Sequence, residues 1–256
     1  MLRDRANLLV HLRPAPVVAR IPALTALVRP NPEEWLSREV AVAGFADARG
    51  APVIGPTDEL PPGPHRCDGM WMTFSRFVEE VPASPPDAAT YGRLLRRLHD
   101  ALDGFAPALP RLVPLTEIPA MLTAAESTLD PADVASLREA YRHLALPLLA
   151  GADGVAALHG DSNVHNLVAT ATGWRWSDFE DAGSGPVAWD LACAVCAGAP
   201  DREALLRGYG VAVDPEELDA YVAARDLQAI PWLFLVGSRF PAQTAEGRRR
   251  RAALRR

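Results

Sequence analysis

Short apolar runs of strand length alternate with polar turns over the first 80 residues. Residues 7–12 and 17–21 are two such runs, and Arg13-Pro14-Ala15-Pro16 joins them, which predicts a β-hairpin. Residues 52–54 and 70–78 are two further β-type runs. A longer segment with a different pattern, residues 31–50, lies between the two pairs.

The segment 31–50 has the pattern of a single helix. Asn31 is expected to cap its N-terminus, Pro32 to take the first helical position, and Gly50 to end it. Apolar residues stand between them at helical spacing, namely Trp35, Leu36, Val40 and Phe45. The front part is therefore predicted as strand, strand, helix, strand, strand, ending near Glu80.

Helical spacing dominates the chain after residue 80. We predict helices over residues 86–105 and within 115–149, a strand over 155–158, a hairpin of residues 166–170 and 174–179, and further helices from Trp189. The whole pattern predicts an α+β fold with a small β-rich lobe, residues 1–80, and a larger, mainly helical lobe, residues 81–256.

Composition argues against a protein that spans a membrane. Hydrophobic residues make up 49% of the 256 residues and charged residues 23%, which is close to ordinary globular usage. No apolar run approaches the ~20 residues that a membrane helix needs, and the first residues have no continuous apolar stretch of the signal-peptide kind. We expect a cytoplasmic protein with no membrane partner.

Three cysteines are too few and too unevenly spaced for a disulfide framework, in agreement with a reducing compartment. Cys193 and Cys196 form a C-x-x-C within the apolar stretch 189–199. Because three-residue spacing places both on one side of a helix, we expect core packing; a redox or zinc site is the alternative.

Charge is distributed unevenly along the chain. The net charge is −6, but the last ten residues carry six arginines and no acid, so the other 246 residues sum to −12. An acidic body argues against nucleic acid as a partner and mildly favours a cationic small molecule. The basic tail is expected to be a solvated helix end, with an anionic partner as the alternative. Since the chain has no lysine, any basic phosphate contact must come from arginine.

The densest polar residues stand in segments 158–166 and 177–181. If residues 171–173 form the hairpin turn, Asn166 and Asp178 lie roughly opposite one another at the open end of the hairpin. Asp161 lies on the loop entering the same hairpin, so three oxygen-bearing side chains are expected at one edge. Carboxylate and amide oxygens favour a hard cation such as Mg²⁺, which indicates a phosphoryl-transfer site.

These motifs together resemble the aminoglycoside phosphotransferase and choline kinase-like family, distant relatives of protein kinases. Residues 158–166 read LHGDSNVHN, Asp178 in SDFEDAGSGP follows Asn166 by twelve positions, and Trp189-Asp190-Leu191-Ala192 comes next. H-G-D-x4-N alone is moderately specific, whereas the joint pattern is strong and the similarity covers nearly the whole chain. The resemblance implies the two-lobed protein-kinase-like fold.

The resemblance also implies an activity and roles for individual residues. The activity is transfer of a phosphoryl group from ATP or GTP, with Mg²⁺, to a hydroxyl of a small acceptor such as an aminoglycoside-like compound. Asp161 would be the catalytic base, and Asn166 and Asp178 would hold the metal and nucleotide. His159 would order the loop, and Asp190 would support it.

The front part matches the nucleotide-binding lobe of the family with two departures. Arg20 stands where the family often has a lysine on the third strand, and Glu39 matches the helix glutamate that would pair with it. Arginine keeps the charge and binds phosphate bidentately, but it does not simply replace an ammonium; the alternative is a surface ion pair. Only six residues precede the strand at residue 7, so the first strand and the glycine-rich loop are expected to be missing, through a trimmed lobe or a start placed too far downstream.

Three functional hypotheses follow from these residues. The first is the small-molecule kinase; the second is a non-catalytic nucleotide-binding protein, favoured by Arg20 and the missing loop. The third is a metal-dependent phosphohydrolase that would use His159, Asp161, His165 and Asp178.

Several polar residues have no assigned role at this point. Glu180 and Asp181 are expected to be solvated or capping residues rather than contacts to metal or substrate, and His165 is expected to be scaffold. Segments 86–149 and 201–240 should build the acceptor pocket, but they contain no diagnostic motif.

Overall fold

The computed structural model describes residues 1–4, 6–151, 155–197 and 201–254. Its N-terminal lobe is a five-stranded antiparallel sheet in the order β1-β2-β3-β5-β4. The strands are β1 (Arg3–Asp4), β2 (Asn7–His11), β3 (Val17–Pro22), β4 (His65–Cys67) and β5 (Met70–Arg76). The predicted hairpin is present as β2 and β3, in which Leu9 pairs with Arg20.

Three expectations about this lobe need correction. A first strand is present, although it has only two residues, and it pairs with β2. Residues 52–54 do not form a strand, because Pro52 within the run and Pro56 just after it have no backbone N–H for a sheet; Val53 makes only an isolated bridge to Trp176. Strand β4 was not predicted, because it lies in a segment rich in proline and glycine.

Helix α1 (Pro32–Ala48) packs its buried residues, such as Leu36 and Val42, into the lobe. Gly50 follows its C-terminus with a left-handed φ of 76°, as predicted. The predicted cap at Asn31 is wrong: its φ is 54° and its side chain makes no capping hydrogen bond. Capping side chains normally act from extended backbone, which Asn31 does not adopt.

Residues 77–87 connect the sheet to the larger lobe, and the boundary predicted at residue 80 falls within this connection and stays a prediction. Helix α2 (Ala88–Leu102) lies at the start of the larger lobe, against α8 (Arg202–Tyr209). Gly92 and Gly208 stand at this contact, where an added Cβ would overlap the backbone of the opposite helix.

The segment 115–149 is helical but interrupted. It contains α3 (Val113–Thr116), α4 (Ile118–Ala124), α5 (Pro131–Ala140), a π-turn (Tyr141–Ala145) and α6 (Leu146–Ala150). Prolines stand in the first turn of all four helices, and proline is tolerated there but not in a helix interior. The sequence therefore sets these breaks.

Two small antiparallel sheets carry the polar segments. One pairs β6 (Ala156–Leu158) with β9 (Gly183–Gly185), a strand not predicted from the sequence, and the other pairs β7 (Leu167–Thr170) with β8 (Gly173–Trp176). The second hairpin is shorter than predicted at its open end, where β7 begins at Leu167 and β8 ends at Trp176, whereas at the turn β8 begins one residue earlier than predicted, at Gly173. Asn166 lies in a 3₁₀ turn (Val164–Asn166) directly before it.

The helices after residue 187 complete the core. They are α7 (Ala188–Cys196), α8, α9 (Pro215–Gly237) and α10 (Pro241–Leu254). Trp189 and Cys193 on α7 are fully buried, and Cys193 and Cys196 are free thiols, as expected for core packing. No helix within the described ranges is long and apolar enough to cross a membrane.

The basic tail is not simply a solvated helix end. In α10, Arg251 is buried and lies 3.1 Å from Asp133, and Arg250 lies 3.0 Å from Asp226. Arg248 and Arg249 remain exposed. These ion pairs fix α10 against α5 and α9, which the sequence could not show because their acidic partners are distant in the chain.

Candidate active site

The loop before β7 is held by one buried carboxylate, that of Asp190 on α7. Asp190 accepts hydrogen bonds from the backbone N–H groups of His159 (2.9 Å) and Gly160 (3.0 Å), and lies 2.9 Å from Nε2 of His99. Burial opposes ionisation of Asp190, but the hydrogen bond and charge of His99 outweigh it and lower the pKa. The structure therefore places Asp190 as a support for this loop, where the family resemblance put it.

His159 is fully buried, and both of its ring nitrogens are occupied. Nε2 lies 3.1 Å from the carbonyl oxygen of Ser177, and Nδ1 lies 3.3 Å from the backbone nitrogen of Asp161. Burial lowers the pKa of His159, which favours the neutral ring. His159 orders the loop and has no nitrogen left for a metal or a phosphate, and His165 is exposed, so the geometry does not support the phosphohydrolase hypothesis.

The carboxylate of Asp161 accepts three side-chain hydrogen bonds. Its Oδ2 accepts from Nδ2 of Asn163 (2.6 Å) and Nδ2 of Asn166 (2.9 Å), and its Oδ1 accepts from Nη2 of Arg225 (2.5 Å). The predicted partners Asp161 and Asn166 are thus brought together. Arg225, on α9, was not predicted, because nothing near it in the sequence marks it.

Asp178 is placed differently from the prediction. Ser177, not Asp178, lies opposite Asn166, since the backbone nitrogen of Ser177 is 2.8 Å from the carbonyl oxygen of Asn166. Asp178 then takes a left-handed φ of 66°, and its Oδ1 accepts from Nη2 of Arg20 (2.9 Å). The hairpin turn has two residues instead of the predicted three, so Asp178 lies one position beyond the residue opposite Asn166. Its side chain contacts Arg20 of the N-terminal lobe.

Arg20 is the centre of a buried cluster of charges. Its guanidinium lies 2.7 Å from Glu39, 2.9 Å from Asp178 and 2.5 Å from Glu180. Arg20 and Glu39 are 6% and 8% exposed, so they are not a surface pair. The expectation that Glu180 is solvated is wrong, because it is equally buried and also accepts a hydrogen bond from Thr25 at 3.2 Å.

The charges in this cluster shift one another's pKa values. Burial raises the pKa of Glu39 to about 7, although Arg20 opposes the shift. Burial also raises the pKa of Asp178, and the carboxylates of Glu180 and Glu39 add to the effect against the opposing charge of Arg20. Three carboxyl groups therefore share the single guanidinium of Arg20, and burial together with like charge favours the protonated form of Glu39 and Asp178.

A second arginine ties the N-terminal lobe to the larger lobe. Arg29 binds Glu117 through two hydrogen bonds of 2.5 and 2.7 Å, Asp181 at 2.6 Å and the carbonyl oxygen of Glu180 at 2.7 Å. Asp181 is therefore an ion-pair partner, not the solvated or capping residue we expected. Arg29 and Glu117 were not predicted, since neither belongs to a motif.

A cavity of about 50 Å³ opens beside these networks. It is bounded by the segment after β3, by α4 and α9, and by the loop that carries Asp161. Its polar lining contains four carboxylates and two guanidinium groups, and Val28, Met121 and Trp232 supply apolar surface. The charged residues are Arg29, Glu117, Asp161, Glu180, Asp181 and Arg225.

A second, wider depression of about 580 Å³ lies along the connection between the lobes. Residues 80–83 and Pro85 line one side, and Val164, His165 and Trp174 are among those that line the other. The backbone nitrogen of Val81 lies 2.9 Å from the carbonyl oxygen of Ala169, which joins the connection to β7.

Over nearly its whole length the chain is similar to solved structures of kinases. A choline/ethanolamine kinase family protein from Mesorhizobium loti is 20% identical, with a TM-score of 0.65, over 99% of this chain and 86% of that one. Choline kinase LicA from Streptococcus pneumoniae is 15% identical, with a TM-score of 0.68, over 97% and 90%. Amicoumacin kinase hAmiN, solved with AMP-PNP, Ca²⁺ and Ami, is 13% identical, with a TM-score of 0.72, over 99% and 86%.

These likenesses establish the fold, and the α+β, two-lobed kinase-like architecture predicted from the sequence is confirmed. No curated protein sequence matches the chain significantly. The model of the Phosphotransferase enzyme family matches residues 4–227, which is most of the chain. The chain therefore belongs to the phosphotransferase enzyme family.

Proposed function

We propose that this protein transfers the γ-phosphoryl group of ATP or GTP, with Mg²⁺, to a hydroxyl of a small cationic acceptor. The observation that carries the proposal is the position of Asp161. Its carboxylate lines the cavity between α4 and α9 and is hydrogen-bonded to Asn166. A carboxylate in such a cavity is placed to orient an acceptor hydroxyl and to take its proton.

The transfer uses Asp161 as base. The acceptor oxygen forms a bond to the γ-phosphorus, and the bond from that phosphorus to the β–γ bridging oxygen breaks, with its electron pair leaving on the nucleoside diphosphate. The proton of the hydroxyl moves to Asp161. Since phosphoryl transfer depends largely on positioning and charge, the three hydrogen bonds that hold Asp161 are the main contribution of the loop.

Asn166 and Asp178 fit a hard cation by their chemistry. Oδ1 of Asn166 and Oδ2 of Asp178 accept no hydrogen bond within the described part of the chain, and 34% of the Asp178 side chain is exposed. The excess of carboxylates around Arg20 also favours a cation. Mg²⁺ held by these two oxygens and by nucleotide phosphates would neutralise phosphate charge.

Arg20 and Glu39 are proposed to serve the nucleotide. The guanidinium is fixed by Glu39 on α1 and faces Asp178, so it lies on the metal side of the site. A guanidinium in this place provides charge-assisted hydrogen bonds to phosphate oxygens.

The proposed acceptor follows from the cavity charge. Four carboxylates against two guanidinium groups leave a net negative lining, and Trp232 offers an aromatic face. Negative charge and an aromatic face both favour a cation. Amino alcohols and aminoglycoside-like compounds both satisfy this description.

Transfer of labelled γ-phosphate from ATP and from GTP to a panel of amino alcohols, aminoglycosides and neutral sugars, with and without Mg²⁺, tests the proposal. Product is expected only with Mg²⁺, lost in Asp161→Asn and kept in the control Asp219→Asn, an exposed acid on α9. An unchanged rate in Asp161→Asn would contradict the role of the base. Mg²⁺-dependent nucleotide binding without product from any acceptor, or from water, would instead support the non-catalytic alternative.

A further inference from the structure

Arg225 reaches the proposed catalytic base from a different part of the fold. It lies in the middle of α9, and its Nη2 donates to Oδ1 of Asp161 at 2.5 Å while its Nη1 contacts the side-chain oxygen of Gln228. The Arg225 side chain is 14% exposed, and both Arg225 and Gln228 line the cavity next to Asp161. A C-terminal helix thus contributes directly to the proposed acceptor site.

Hydrogen-bond accounting on Asp161 identifies where an acceptor can bind. A carboxylate oxygen accepts about two hydrogen bonds. Oδ2 already accepts two, from Asn163 and Asn166, whereas Oδ1 accepts one, from Arg225. The position left for another hydrogen-bond donor is therefore on Oδ1, the oxygen that accepts from Arg225.

This places the acceptor hydroxyl close to Arg225. A hydroxyl donates to a carboxylate at about 2.7 Å, and Arg225 is 2.5 Å from the same oxygen. Whatever the angle between the two, the hydroxyl oxygen then lies within about 5 Å of Nη2.

Docking of α9 alone does not account for this pair. Leu218, Ala224, Leu227 and Ile230 of the same helix are fully buried, and at about 25 cal/mol per Å² such burial far exceeds the value of one ion pair. A side chain that only anchored the helix would not need to reach the acid that is proposed as the catalytic base.

We propose that Arg225 is a positioning residue for the phosphoryl transfer, which fixes Oδ1 of Asp161 so that its one open acceptor direction points at the acceptor hydroxyl. This inference rests on the proposed function and adds to it a residue of α9 that acts through Asp161. Loss of the guanidinium frees the carboxylate to rotate and should slow the transfer step without weakening nucleotide binding.

The test uses water as the acceptor, since it requires no knowledge of the natural one. Release of inorganic phosphate from ATP with Mg²⁺ is measured for the full chain and for Arg225→Ala, Arg225→Lys and the control Arg202→Ala. Arg202 also forms an ion pair with α9, through Asp219, but far from the loop. Melting temperatures confirm that each variant is folded.

We expect kcat to fall about 10- to 100-fold in Arg225→Ala, with KM for the nucleotide changed less than about two-fold. Arg225→Lys and added guanidinium should each restore part of the rate. Unchanged kcat in Arg225→Ala, or a loss shared equally by Arg202→Ala, would overturn the inference. Absence of Mg²⁺-dependent phosphoryl transfer from the unmodified protein to water and to every compound of the acceptor panel would show instead that the proposed function fails, and the role of Arg225 with it.

Discussion

Replacing Asp190 by alanine should lower the free energy of unfolding by more than replacing any exposed residue does. The change removes the acceptor for two backbone N–H groups, those of His159 and Gly160, and for the ring of His99, in a place where Asp190 is 0% exposed. Each buried donor left without a partner costs about 1–3 kcal/mol. Three such donors predict a loss of about 3–9 kcal/mol, a large share of the about 5–15 kcal/mol that stabilises a typical domain.

Urea denaturation followed by circular dichroism measures this loss. Asp190→Asn keeps one acceptor oxygen and should fall between alanine and the unmodified protein. The control Asp219→Ala removes an exposed partner of Arg202 and should change the free energy of unfolding by less than about 1 kcal/mol. If Asp190→Ala also loses less than about 1 kcal/mol, the loop is not held by this carboxylate and the reasoning is refuted.

Three further predictions concern the charged cluster and the loop beside it. Arg20→Met leaves three carboxylates around a buried space without their cation and should lower the free energy of unfolding by about 3–5 kcal/mol, whereas Arg20→Lys should lose much less; equal losses in urea titrations would contradict the charge argument. Because the pKa of Glu39 is raised to about 7 in the folded protein, the folded state binds the proton more tightly than the unfolded one, so stability should fall as pH rises from about 4.5 to 7. Glu39→Gln should flatten that part of the melting-temperature profile, and identical profiles would refute the assignment. Gly160 has a φ of 87°, and a Cβ added there would clash with the carbonyl oxygen of Asp181. Gly160→Ala should therefore reduce both stability and phosphoryl transfer. Full activity with an unchanged melting temperature would show that the loop can move away.

The two arginines that join the lobes give the site its charge pattern. Arg20 and Arg29 are each paired with more than one carboxylate, so a phosphate oxygen that contacts Arg20 would share its guanidinium with these acids. Mg²⁺ bound to a nucleotide would place positive charge next to the carboxylates that share Arg20 and Arg29. The structure therefore favours binding of the metal and the nucleotide together.

Local sequence determined the elements and the outline of the loop. Alternating apolar runs and the prolines between them specified β2 and β3, helical spacing and a terminal glycine specified α1, and the spacing of Asp161, Asn166 and Asp190 predicted the family. These signals succeed because strand alternation, helical periodicity and turn chemistry depend on neighbouring residues.

Tertiary structure alone decided the partners of each charge. No local pattern in the sequence shows that Glu180 and Asp181 form ion pairs. Arg29 and Arg225 likewise belong to no motif. Their pairing joins segments more than 60 residues apart, so it depends on how helices and sheets pack rather than on any local pattern. The sequence by itself thus determined the family and singled out Asp161 as the proposed base, while packing decided which arginines hold that acid and its neighbours, because burial forces each charge to find a partner wherever the fold provides one.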